Sequence, residues 1–194
     1  MANPQPPVLS LAERDRRWAN VHALMRERGF EGLLVAGFRA REMYETYISD
    51  DYNEGCVIFP LESDPVVITW AYLRVMRARW SAERGTKLWV DDYRVATSGM
   101  GVAEVLREKH LAESNLGVVG LSSQAPTEIY GAIPANFWNE LTAALPKARW
   151  QEISEEFSHL MLVKSDEELQ QVRYAARAAE AACKVIAEVA ARAA

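Results

Sequence analysis

Short aliphatic runs alternate with amphipathic stretches along this chain, and that alternation narrows its fold more than any other feature. The runs read "FEGLLVAGF", "GCVIFP", "PVVIT", "TKLWVDD", "NLGVVGL" and "ARWQEIS". Most are apolar at successive positions rather than at every second one, which is the pattern of strands covered on both faces. Between them lie helical patterns. One begins at Ser10, where Glu13 stands three residues after a capping serine and Leu11, Trp18, Val21, Leu24 and Met25 share a face. Gly29 ends it. The others are "AYLRVMRARWSAERG", "GVAEVLREKHLAES", "PANFWNELTAALP" and "SEEFSHLML". In the first of these, Leu73, Met76 and Trp80 form the apolar side expected to face the core, with Arg74, Arg77 and Arg84 left to solvent. Alternating helices and strands predict an α/β sandwich around a buried sheet. "GCVIFP" and "PVVIT" are separated only by "LESD", so they form a hairpin and make the sheet mixed.

The last stretch, "LVKSDEELQQVRYAARAAEAACKVIAEVAARAA", is different in kind. Ser165 and Glu168 form a capping box, and Asp166, Glu167 and Glu168 complement the positive end of the helix dipole. About 28 helical residues would extend roughly 40 Å, longer than a compact domain of this size needs. Leu169, Val172, Ala176, Ala179, Cys183, Ile186, Ala190 and Ala193 recur at spacings of three and four, a stripe in which half the residues are alanine. Such a stripe is expected to pack closely on a larger body. The expected organisation is a loose lead-in over 1–10, a domain over 11–163, and a helix over 164–194.

The chain has 194 residues and a formal net charge of −5. That balance argues against a general nucleic-acid binder, which needs a basic face to displace counterions. No window is apolar enough to span a membrane, and the N-terminus lacks the basic start and apolar run of a signal peptide. Cys56 and Cys183, far apart, read as reduced thiols of a cytoplasmic protein.

Bond-breaking chemistry has little support in the residues. There is no GxGxxG after a strand, no Walker A loop, no GxSxG elbow and no HExxH. His22 and His110 read as solvent-facing and His159 as structural; no two are close enough in sequence for a local zinc site. The pairs Asp50–Asp51 and Asp91–Asp92 fall in a loop and at a strand end, where solvated aspartates are common. The loop after the first strand, "GFRAREMYETYISDDYNEG", is richest in contacts, offering Arg39 and Arg41 for a carboxylate and Tyr44 and Tyr47 for the wall of a pocket. The alternative is a helix with Met43 and Tyr47 packed inward and the arginines in water.

In order, these pieces resemble the N-terminal domain of the creatinase/prolidase/Xaa-Pro aminopeptidase family, two-domain hydrolases of the "pita-bread" type. "REMYETYI" stands where the family has a segment like "xxRYLTG", and "HLMLVKSDEELQQVRYAARAAEAA" looks like its junction "LRxVKSxxEixxiRxAA". The resemblance implies a three-layer sandwich with a mixed, about six-stranded sheet, non-catalytic by itself. It places the chemistry in a following domain, where Asp, His and Glu residues hold two divalent ions (Mn, Co or Zn) or serve a metal-free mechanism as in creatinase. None of those ligands can be carried onto this chain. It also implies a homodimer acting on small peptides or small amides, with the loop bearing Phe38, Arg39, Arg41 and Tyr44 at the cleft. The rival readings are a self-standing module that associates through its last helix and an unrelated small-molecule-binding α/β domain.

Overall fold

A computed structural model describes residues 5–38, 43–52, 54–122 and 131–193. Its elements are α1 (Leu11–Arg28), β1 (Gly32–Ala36), α2 (Tyr44–Ser49), β2 (Gly55–Pro60), β3 (Val66–Thr69), α3 (Tyr72–Glu83), β4 (Asp92–Val95), α4 (Gly99–Glu108), β5 (Asn115–Val119), α5 (Ala135–Ala144), β6 (Arg149–Glu152), α6 (Ser154–Leu162) and α7 (Asp166–Ala193). The six strands form one sheet in the order β4-β3-β2-β1-β5-β6. β2 runs antiparallel to both β1 and β3, and every other pairing is parallel. The chain is therefore α/β, a mixed six-stranded sheet flanked by helices with a long C-terminal helix, as expected.

Two apolar layers cover the sheet. On one face Val21, Met25 and Phe157 from α1 and α6 meet Leu33, Val35, Val57, Phe59 and Val67. On the other, Val102, Leu106, Phe137 and Leu141 from α4 and α5 meet Leu34, Ile58, Ile68 and Val118. Alternate residues of each central strand thus feed opposite cores, and β1, β2 and β3 are buried along their whole length.

Three expectations change. The run "TKLWVDD" is not the fourth strand; β4 begins at Asp92 and pairs Tyr93 with Val67. Trp89 and Val90 are still buried, so their apolarity serves packing beneath α3 rather than a ladder. On α3, Leu73 and Trp80 face outward, and Val75 and Ala78 face the sheet. Val90 and Tyr93 already fill the space under the helix, which leaves room only for smaller side chains. His22 is half-buried, its ring 4.9 Å from that of Phe59. Burial and the nearby Arg26 hold its pKa below the usual histidine value.

The start of α7 is fastened to the start of α1. Ser165 N–H donates to Glu168 Oε2 (2.8 Å) and Glu168 N–H to Ser165 Oγ (3.1 Å), a complete capping box. At α1, Ser10 Oγ accepts from Glu13 N–H, but the reciprocal acceptor comes from α7: Glu167 takes Ser10 N–H and Oγ–H, each at 2.7 Å. Glu13 is thereby left to Arg16 and Arg17, and both arginines also reach Glu168. Gln171 donates to Pro7 O, and Leu9 is buried, so residues 7–10 are tied down against the α7 end of the molecule. Beyond Tyr174 the described side chains of α7 are exposed, including Val185, Ile186 and Val189.

Candidate functional site

Five of the six strands point their carboxyl ends the same way. β1 and β5 are adjacent and parallel, yet the chain leaves β1 toward β2 and leaves β5 toward β6. That divergence is a topological switch point, the place where open α/β sheets leave a crevice for ligands. The loops leaving β1 and β5 both include residues outside those described.

The described backbone at this crevice is closely pinned. Gly120 has φ +107°, a conformation that L side chains rarely adopt. Its carbonyl accepts from Ala132 N–H (2.6 Å) and Ile133 N–H (3.1 Å), while its own N–H donates to Ser154 Oγ (2.7 Å). The Ser154 hydroxyl donates to Glu152, which also accepts from Ser154 N–H at 3.0 Å. The turn after β5 and the first turn of α6 are locked together through one hydroxyl.

Of the four expected cleft residues, Phe38 and Tyr44 are described, and the structure does not bring them together. The Phe38 ring packs 4.8 Å from Phe137, on the α4/α5 face. Tyr44 is buried on the opposite face, its ring 5.9 Å from Phe157. Arg39 and Arg41 lie outside the described residues. Met43, expected to pack inward in the alternative reading, is exposed and precedes α2 in the left-handed conformation, whereas Tyr47 is buried as that reading has it. Glu45 is a buried carboxylate here that the sequence did not single out. It lies over Gly37, where a Cβ would collide with its carboxyl group. Burial, with the charge of Glu45 added to it, pushes the Cys56 thiol up to about 12, which makes that cysteine inert near neutrality. Only the placement of Glu45 directly after Tyr44, within a helix closing over β1, marks it, and periodicity cannot show that.

A pocket of about 250 Å³ opens between α2 and α3, lined by Asp50, Asp51, Arg74, Arg77, Lys87, Trp89 and Tyr93 among others. Loss of solvent and the neighbouring Asp51 push the Asp50 carboxyl up to about 6, against the pull of Arg17. Asp51 is hydrogen-bonded to Tyr93, and burial with that nearby charge holds the phenol far above its usual range. A second cavity of about 540 Å³ follows α6 and is lined by Ser122, Glu152, Ser154, Glu155, Glu156, Ser158, His159 and Leu162. The first mixes polar and apolar walls, and the second is mainly polar. Among the described residues no three His, Cys, Asp or Glu side chains are grouped as a metal ion requires.

No family model matches the sequence, and no curated protein matches it. Solved structures do match the fold. An Xaa-Pro aminopeptidase from Streptococcus pyogenes aligns at TM-score 0.54 and 18% identity, over 78% of this chain and 99% of that one. The N-terminal domain of the cytoplasmic peptidase PepQ from Mycobacterium tuberculosis H37Rv aligns at 0.53 and 15%, over 75% and 98%. This chain has the Xaa-Pro peptidase N-terminal fold. An Xaa-Pro dipeptidase from Bacillus anthracis aligns at TM-score 0.61 and 15% identity, over 91% of this chain but 43% of its own. For the prolidase from Pyrococcus horikoshii OT3 the figures are 0.59, 16%, 89% and 42%. The chain thus spans less than half the length of these two enzymes. Within the Xaa-Pro peptidase N-terminal fold, no helix among the described residues is long and apolar enough to cross a membrane.

Proposed function

We propose that this chain serves as the non-catalytic N-terminal domain of a cytoplasmic, homodimeric creatinase/prolidase-type hydrolase, and that it shapes the substrate cleft and the dimer. The observation that carries the reading is one of coverage: the same fold fills 98% of a separately solved PepQ N-terminal domain and 43% of a dipeptidase chain. Its substrates are Xaa-Pro dipeptides or other small amides, creatine-like compounds included. The loop between β1 and α2, with Phe38, Arg39 and Arg41, borders the cleft; Tyr44 supports that loop from the core. The two divalent ions of such enzymes are assigned to the following domain. The described residues of this chain offer no matching ligand group, so no metal chemistry is assigned to them.

Incubated with an Xaa-Pro dipeptide and Mn²⁺ or Co²⁺, the chain alone is expected to release no proline. A polypeptide that continues into the domain encoded after it is expected to release it. Robust metal-stimulated cleavage by these 194 residues would overturn the reading.

A second reading has its own observation. α7 stands clear of the body beyond Tyr174 and exposes Val185, Ile186 and Val189, as an association helix would. Half of the stripe is alanine, so its burial supplies little compared with a Leu/Ile seam. Light scattering on a chain truncated after Lys164 separates the two. If α7 is an assembly element, truncation converts an oligomer to a monomer; the domain reading expects no change in mass per particle beyond the residues removed.

A further inference from the structure

The apolar side of α3 is the largest conflict between pattern and position in the molecule. Leu73, Met76 and Trp80, spaced i, i+3 and i+7, form a stripe at the spacing of a packed helix face. Leu73 is nonetheless 63% exposed and Trp80 45%, and Trp70 and Tyr72 are exposed just before them. The residues that pack on the sheet are Val75 and Ala78. Scattered surface hydrophobics are ordinary, but an apolar row along one helix face that ends in a tryptophan, with Trp70 and Tyr72 exposed just before it, marks an interaction surface.

The charges around the row say what kind of surface it is. From Tyr72 to Lys87 the sequence has five cations and one carboxylate, Glu83, in a chain whose net charge is −5. Arg74 is used internally, donating to Tyr52 O and Glu54 and stacking on the Tyr52 ring. Arg77, Arg79, Arg84 and Lys87 are exposed, and among the described residues none has a carboxylate within ion-pair distance. On the helical wheel Arg77 and Arg84 flank the Leu73–Trp80 row on one side and Arg79 on the other. An isologous contact with a second copy would set these same arginines against each other, at a cost.

We propose that the outward face of α3 docks an acidic amphipathic helix of a partner protein. The partner's apolar row packs along Leu73, Met76 and Trp80, and its carboxylates lie over Arg77, Arg79 and Arg84. Arginine and tryptophan at the centre and rim of one patch are the residue types that dominate binding energy at such contacts.

The probe is a synthetic helical peptide with leucines on one face and glutamates on the other, titrated against the whole chain and followed by tryptophan fluorescence. Saturable binding that weakens with added salt is expected. Arg77→Glu with Arg84→Glu should weaken it by about tenfold or more, and so should Leu73→Ser with Trp80→Ser. All four positions are at the surface, and unchanged circular dichroism verifies that the variants fold. Absence of saturable binding, or equal binding of a control peptide with lysines in place of the glutamates, overturns the proposal. Preferential binding to phosphatidylserine vesicles overturns it in favour of a membrane surface. Self-association abolished by the serine variants overturns it in favour of a second copy.

Discussion

Replacing Arg17 by methionine is expected to lower the midpoint of thermal unfolding by roughly 10 °C. The Arg17 side chain is 6% exposed and touches four things at once. Its Nε donates to Glu13 Oε1 at 2.8 Å, and its guanidinium lies 3.3 Å from Glu168 Oε1. It donates to Tyr47 O and stacks near the rings of Tyr47 and Trp89. Methionine keeps much of the packing volume but leaves buried Glu13 and Glu168 with only the more exposed Arg16 as a shared cation. Breaking a buried pair from one side costs about 3–5 kcal/mol where a charge is left uncompensated, and the low end applies here because Arg16 still reaches both carboxylates. For a chain of this size each kcal/mol moves the midpoint by roughly 2–4 °C. Arg16 makes similar bonds to the same two carboxylates, but its side chain is 36% exposed, so Arg16→Met should cost about 1 kcal/mol or less. Calorimetry that shows equal losses for the two variants would sink the argument from burial.

The same network predicts how stability follows acid. The hydrogen bond from Arg16, with help from Arg17, holds the Glu13 carboxyl at about 2, against an ordinary 4.5. A depressed folded-state value means that the unfolded chain binds the proton more readily, so Glu13 stabilises the fold above pH 4.5. That contribution is lost as pH falls from 4.5 through 2. Because the Glu13 carboxylate is buried with its partners and shielded from solvent ions, added salt should shrink it only modestly. In a Glu13→Gln variant, chemical denaturation between pH 6 and 3 should show a smaller slope against pH than in the wild type. Equal slopes would assign the acid sensitivity to other carboxylates.

Strand identity and order of elements were legible because apolar runs at β1, β2 and β3 are buried on both sides and need nothing else to specify them. The capping box at Ser165 was legible because its chemistry is local. Long-range partnerships were not. Glu13 looked like the reciprocal half of the Ser10 cap, but Glu167, 157 residues away, takes that place and releases Glu13 to the arginines. The buried face of α1 runs Glu13, Arg17, Val21, Met25, every fourth residue. An acid followed four residues later by an arginine, in line with two apolar residues, is a signal that hydrophobicity alone discards. α3 failed for the opposite reason: its apolar row is real, but the sheet below was already filled, so the row went outward. At the crevice, the sequence pointed to the loop after β1 and could not tell that Phe38 and Tyr44 diverge to opposite faces of the sheet.

Phe157→Ala is expected to cost about 3–5 kcal/mol and to loosen one side of the crevice while the sheet stays intact. Phe157 is fully buried on α6, and the rings of Tyr44 and Tyr47 stand edge-on to it at 5.9 and 5.8 Å. It is the pin by which α6 holds α2, a helix of only six residues that could not persist without tertiary contacts. Side-chain hydrogen bonds also tie α2 to its neighbours: Tyr47 Oη–H to Leu160 O at 3.3 Å, Trp18 Nε1–H to Ile48 O at 2.9 Å and Arg17 Nη1–H to Tyr47 O at 3.2 Å. A vacated phenyl leaves both tyrosine rings without their partner, and neither α2 nor α6 can close the gap without shifting its backbone. Hydrogen exchange should therefore rise first in 44–49 and 154–162, with the amides of β1 and β5 protected nearly as before. Phe157→Leu, which refills most of the volume, should lose about 1 kcal/mol and leave that exchange pattern close to wild type. Uniformly faster exchange across the sheet in the alanine variant would mean that α2 and α6 are one cooperative unit with the core. The edge of the proposed cleft would then be as rigid as the sheet itself.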